Sequence, residues 1–147
     1  MHPVAPARLA LFALAYAAFV VYGSLLPFDL RPQAWSAAWL RFREIPYLEL
    51  GVASRADWVA NILLYIPLAF ALTGAFVGRV RSLGPKLVGA IFAALACIGL
   101  ALAVEFAQLF FPPRTVSQND LIAEAIGTLI GVAAWLAVGE RLLGLWQ

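Results

Sequence analysis

The sequence predicts an all-α integral membrane bundle of four transmembrane helices, with a short interfacial helix after the first. Three observations predict it. The 147 residues are 64% hydrophobic and only 12% charged, against about 25% charged in a typical soluble domain, which leaves too little polar surface to coat a globule. Four apolar segments, Leu9–Leu26, Trp58–Val77, Leu87–Phe111 and Leu121–Val138, meet the length of about 20 residues that crosses a bilayer. The basic residues gather at segment ends, where orientation signals belong. Residues 1–147 read as one domain. A net charge of +2, dispersed along the chain, excludes a nucleic-acid footprint. Cys97 is the one cysteine and has no partner for an internal disulfide.

The first segment is longer than the 7–15 residues of a signal-peptide core, and its leading end carries only Arg8, so it reads as a retained helix. It ends in Gly-Ser-Leu-Leu-Pro-Phe, with Pro27 as the stop. In the polar stretch that follows, Trp35, Trp39 and Phe42 recur at helical spacing beside Arg41 and Arg43. That pattern predicts a helix lying in the interface, aromatic side down.

Ser54-Arg55-Ala56-Asp57 reads as a capping box at the start of the second span, with Ser54 at the N-cap. Asn61 follows one turn after Asp57, on the same face. Pro67 lies inside this helix and leaves the Leu63 carbonyl without its helical partner. The third span carries a small residue at every fourth position, Gly89, Ala93, Cys97 and Ala101, and the next step on that stripe is Glu105. Small stripes let helix backbones approach closely in lipid, so the face that packs against a neighbour leads to Glu105. Gln108 lies on nearly the same face. Pro112 and Pro113 end the helix. Ser117-Gln118-Asn119-Asp120 repeats the Ser-x-x-Asp start, and the last span has its own small stripe of Ala123, Gly127 and Gly131. The two starts, SRADWVAN and SQNDLIAE, align without a gap.

Charge in an apolar span costs about 2.5–3.5 kcal/mol per residue on insertion scales, so such residues are functional candidates by default. Asp57, Arg114 and Asp120 are expected at one membrane face, Asn61 and Glu124 one turn in, and Glu105 roughly 9 Å in at 1.5 Å per residue. Each has a plain structural account. Asp57 and Asp120 are expected to cap helices. Arg114 snorkels to the interface or pairs with Glu105, and Asn61 and Gln108 join helices. Glu105 lacks such an account: it pairs with Arg114 or carries a proton. A structural polar network and a ligand or reaction site both remain open. No metal spacing is present, and His2, the only histidine, is at the other end of the first span. No cofactor is expected. Ser117 and Thr115 have no histidine or lysine nearby to act as base.

The run Asp57-x-x-x-Asn61-Ile62 into LLYIPLAF, then E-x-x-Q-x-F-x-P-x-R from Glu105 to Arg114, then S-x-x-D-x-x-x-E…G…G from Ser117 to Gly131, resembles the VanZ-like family. The likeness extends from Gly23–Phe28 to Gly131. It implies a small bacterial multi-helix membrane protein of the cell envelope, in a family whose namesake is associated with resistance to the glycopeptide teicoplanin. It also implies that the family's characteristic polar residues fall on Asp57, Asn61, Glu105, Gln108, Arg114 and Asp120. Glu124 departs from the pattern, standing where the family's asparagine is expected, and Ala69 stands where glycine is common.

On this reading the polar cluster binds a lipid-linked or amphiphilic envelope molecule. Arg114 would hold an anionic headgroup, and Glu105, assisted by Gln108, would orient it or exchange a proton. Two alternatives are an enzyme using Glu105 and Asp120 as acid and base on such a lipid, and a structural or partner-binding protein without a small ligand. Arginine and lysine divide equally between the two membrane faces. The compact loop with Arg79, Arg81 and Lys86 favours cytoplasmic termini, in a bacterial cytoplasmic membrane. Oligomeric state is not legible.

Overall fold

The computed structural model describes residues 4–49, 51–112 and 114–145, apart from the side chains of residues 4, 5, 52–54 and 145. His2 and Pro113 lie outside the described residues. Helix α1 spans Val4–Leu25, α2 Trp35–Arg43, α3 Val52–Val77, α4 Leu83–Gln108 and α5 Gln118–Ala134. A π-helical turn, Trp135–Gly139, joins α5 to α6, Glu140–Leu145. Among the described residues there is no strand. Four stretches are long and apolar enough to cross a membrane: Pro6–Leu25, Arg55–Val77, Leu83–Gln108 and Gln118–Gly144. The all-α class, the four spans and the short helix after the first thus stand as predicted.

The ends of the helices differ from expectation in ways that matter for the site. The α3 N-cap is Gly51, not Ser54, whose side chain lies outside the described residues. The extended Gly51 accepts from Arg55 N–H at 3.0 Å, so the helix opens one turn early on a glycine cap. Asp57 is therefore not a capping residue; it lies in the second turn. Helix α4 stops at Gln108 rather than Phe111, because Pro112 cannot continue it. The last turn tightens into i→i+3 bonds, Phe110 N–H to Ala107 O and Phe111 N–H to Gln108 O, both 2.9 Å. The α5 start stands as read: Ser117 is the N-cap and its hydroxyl accepts from Asp120 N–H.

Helix α3 is the centre of the bundle and packs most extensively on α5. Glycine sets that approach. A Cβ on Gly127 would strike the Ile62 carbonyl oxygen, and one on Gly131 the Ile66 carbonyl oxygen. The contacts advance in the same sense along both helices, so α3 and α5 run parallel, backbone against backbone. Gly89 meets Val77, and Gly74 and Gly78 approach Leu9 and Pro6, so α4 and α1 both run antiparallel to α3. The predicted stripe of α4 faces inward: Ala93, Cys97, Ala101 and Glu105 are all buried. With Val20, Tyr65, Leu68 and Ala69, that stripe's Cys97 and Ala101 make the core.

Large apolar side chains cover the outside instead. Leu11, Leu14, Leu63, Phe92, Leu95 and Leu129 are each more than half exposed. A soluble monomer rarely exposes so continuous an apolar surface; hydrocarbon accepts it. In α2, Trp35 and Trp39 stack beside Phe106 of α4 while remaining largely exposed, as expected of an interfacial helix.

Candidate functional site

At the end of the bundle where α1 and α4 finish and α3 and α5 begin, the helices enclose a partly open cavity of about 300 Å³. It takes Gly23 and Ser24 from the last turn of α1, Asp57, Asn61 and Leu64 from α3, Glu105 and Gln108 from α4, Arg114 and Thr115 from the segment leading into α5, and Asp120 from the first turn of α5. Six of the seven residues singled out from sequence therefore meet in one place. Glu124 does not line the cavity; it lies one turn deeper in α5 and is buried.

The capping of α5 fixes the cavity's far wall. Asp120 Oδ2 accepts from the Ser117 hydroxyl at 2.6 Å, and Oδ1 accepts from Asn61 Nδ2 at 2.8 Å. Asp120 thus serves its own helix N-terminus and ties α5 to α3. Each carboxylate oxygen accepts one of these side-chain bonds, out of the roughly four lone-pair sites a carboxylate has.

Arg114 is turned onto α1. Its Nε donates to Ser24 O at 2.9 Å and its Nη2 to Gly23 O at 2.8 Å. A cation at these carbonyls satisfies helix-end acceptors and complements the dipole. The expected partnership with Glu105 is accordingly electrostatic and secondary. A guanidinium has five N–H donors, more than these two carbonyls take up.

Glu105 is the deepest charged group of the lining, with 2% of its surface exposed. The Ser117 backbone N–H faces its carboxyl group, while its Oε2 has no partner among the described residues. Beside it lie Glu124 and two buried hydroxyl groups that sequence reasoning missed. Tyr65 of α3 and Thr128 of α5 are fully buried, and their hydroxyls, like Glu124 Oε2, also lack partners. The Tyr65 hydroxyl lies beside the Glu124 carboxyl without closing a hydrogen bond of good geometry. The sequence signal for Thr128 existed: Asp120, Glu124 and Thr128 fall at successive fourth positions on one face of α5. Tyr65 looked like one more apolar core residue.

A second cavity, of about 470 Å³, lies behind the first under residues 44–48, and the two share Gln108, Arg114 and Thr115. The loop that roofs it is pinned. Asn119 pairs with the Leu48 backbone as one peptide group pairs with another, accepting from Leu48 N at 2.8 Å and donating to Leu48 O at 3.1 Å. Gln118 adds bonds to Pro46 O and Ile45 O. Asn119 was also missed, because its partner is main chain 71 residues away.

Among the described residues, no group of three or more His, Cys, Asp or Glu side chains is arranged to hold a metal ion. No curated protein and no solved structure matches the chain. The family model described as VanZ/LLP1 matches residues 9–139, a span that contains the cavity and all seven predicted residues. The chain belongs to the VanZ/LLP1 family.

Proposed function

We propose that this is a VanZ-like protein of the bacterial cell envelope that holds the headgroup of a lipid-linked or amphiphilic molecule in the cavity at the α1/α3/α4/α5 end. One observation carries the reading: the carboxyl group of Glu105, deeply buried and with one oxygen unpartnered among the described residues, belongs to the lining of a partly open polar cavity. A buried acceptor left unpaired costs about 1–3 kcal/mol, and an occupant bearing donors removes that cost. The site lies within about two turns of four helix ends, roughly 10 Å at 1.5 Å per residue, where headgroups meet acyl chains. Arg114 stands on its wall and engages a phosphate with donors beyond those given to α1. With both termini cytoplasmic, the cavity opens to the outer face, where glycopeptides such as teicoplanin act, and a resistance role would follow from that location.

Native mass spectrometry of gently extracted protein tests the proposal, with wild type beside Arg114→Ala and Glu105→Gln. A phosphate-bearing amphiphile should accompany the wild type and diminish in the variants. Identical profiles in three folded proteins would leave the cluster as a structural network.

A further inference from the structure

The chemistry of the cavity specifies more than an amphiphile. The lining holds three acids, Asp57, Glu105 and Asp120, against one cation, Arg114. Those four groups are not equally available. The oxygens of Asp120 are taken by Asn61 and Ser117, and Arg114 is already committed in part to the end of α1. What the lining adds is acceptor capacity: the Glu105 carboxyl group, whose Oε2 is buried and has no partner among the described residues, with Asp57 exposed on the same wall. An anion pushed fully inside would meet these acids at close range.

An ammonium group meets the opposite situation. It brings three N–H donors and no acceptor, and hydrogen bonds joining charged partners are the strong ones. The volume agrees. A cavity of about 300 Å³ is too small for a whole lipid but holds a short headgroup. Its rim is apolar, with Phe19 half exposed and Leu64 beside Asn61, as suits the start of an acyl chain.

Resting on the binding role proposed above, we infer that the occupant is an amine-bearing lipid of the ethanolamine or aminoacyl type. Its primary ammonium lies between Glu105 and Asp57, and its phosphate remains at the mouth near Arg114. Charge along the ligand then runs from minus at the mouth to plus inside, matching a wall that runs from Arg114 to Glu105.

The test is lipid exchange on full-length protein, read by native mass spectrometry. The protein is delipidated and offered an equimolar mixture of phosphatidylethanolamine, phosphatidylglycerol and phosphatidylcholine with matched chains. Phosphatidylcholine keeps the positive charge but has no N–H, so it separates hydrogen bonding from charge. The expected result is retention of phosphatidylethanolamine about tenfold above either competitor, the scale of one charge-assisted hydrogen bond. Glu105→Gln should bring the three lipids to within about twofold of one another. Asp57→Asn, at an exposed position that carries no fold contact shown by the structure, should reduce the preference several-fold and serves if Glu105→Gln does not fold. Retention of all three lipids without preference, or preference for phosphatidylglycerol, would overturn the inference while leaving headgroup binding standing. A folded wild type that retains none of them, and carries no amphiphile when gently extracted, would overturn both.

Discussion

The α3–α5 contact makes the sharpest prediction about the fold, because two glycines in the same protein should respond to alanine with opposite signs. At Gly127, a Cβ would land on the Ile62 carbonyl oxygen and lie 3.0 Å from Tyr65 Cβ and 3.1 Å from the Ile62 carbonyl carbon. The obstacle is backbone, so no side chain can rotate away and the helices must separate. Overpacking of this kind costs about 1–3 kcal/mol, and a contact onto main chain belongs at the upper end. Alanine's better helix propensity returns about 1 kcal/mol, for a net loss of about 2 kcal/mol. Gly99, in the middle of α4, has nothing within 4 Å of such a Cβ, so Gly99→Ala should gain the propensity term, about 1 kcal/mol. At about 4 °C per kcal/mol for a chain of this size, the two variants should melt about 12 °C apart, on either side of wild type. Tryptophan emission during a thermal ramp in detergent measures this. Melting of both within about 2 °C of each other would mean that α3 and α5 do not approach as described.

Ser117→Ala removes the α5 cap and one donor to Asp120, and should cost about 1–2 kcal/mol, read as a lower melting temperature. Asn119→Ala deletes both bonds to Leu48 and should speed amide exchange over residues 44–49 about tenfold or more, for a loss on the order of 2 kcal/mol, while helix cores stay protected. Trp135, almost fully buried and lying across Gly74 and Gly139 with its ring edge-on to Phe70 at 5.0 Å, should be the most expensive single truncation: Trp135→Ala should lose about 3–5 kcal/mol in the same melting assay.

Much of this architecture was legible because it rests on local pattern. Spans follow from apolar length, and the α5 cap from Ser117 and Asp120 three residues apart. The inward turn of Glu105 follows from a stripe of small residues, which survives any detail of packing. Failures began where two distant segments had to meet. The Ser-x-x-Asp rule worked at Ser117 and misled at Ser54, since Gly51 provides an earlier cap although local preference ranks serine above glycine. Arg114 reads from the sequence as an interfacial residue or a partner of Glu105, whereas carbonyls of α1, 90 and 91 residues away, receive it. Glu124 shares the face of Asp120 and is expected in the site, but it lies one turn deeper, beside Tyr65 and outside the lining. The π-helical turn at Trp135–Gly139 has no composition signature that separates it from ordinary helix.

A polar cavity that holds a molecule is distinguished from a mere cross-link between helices by blocking its mouth. Gly23 offers the most direct test. It lines the cavity, its Cβ position meets nothing within 4 Å, and Arg114 contacts only its main-chain oxygen. Gly23→Phe should therefore fill the mouth without disturbing a polar contact or the fold. Native mass spectra of wild type and Gly23→Phe, extracted alike and melting alike, would decide the matter. A bound amphiphile is expected on the wild type and not on the variant; an undiminished adduct on a folded Gly23→Phe would mean that the cavity is not where the amphiphile binds.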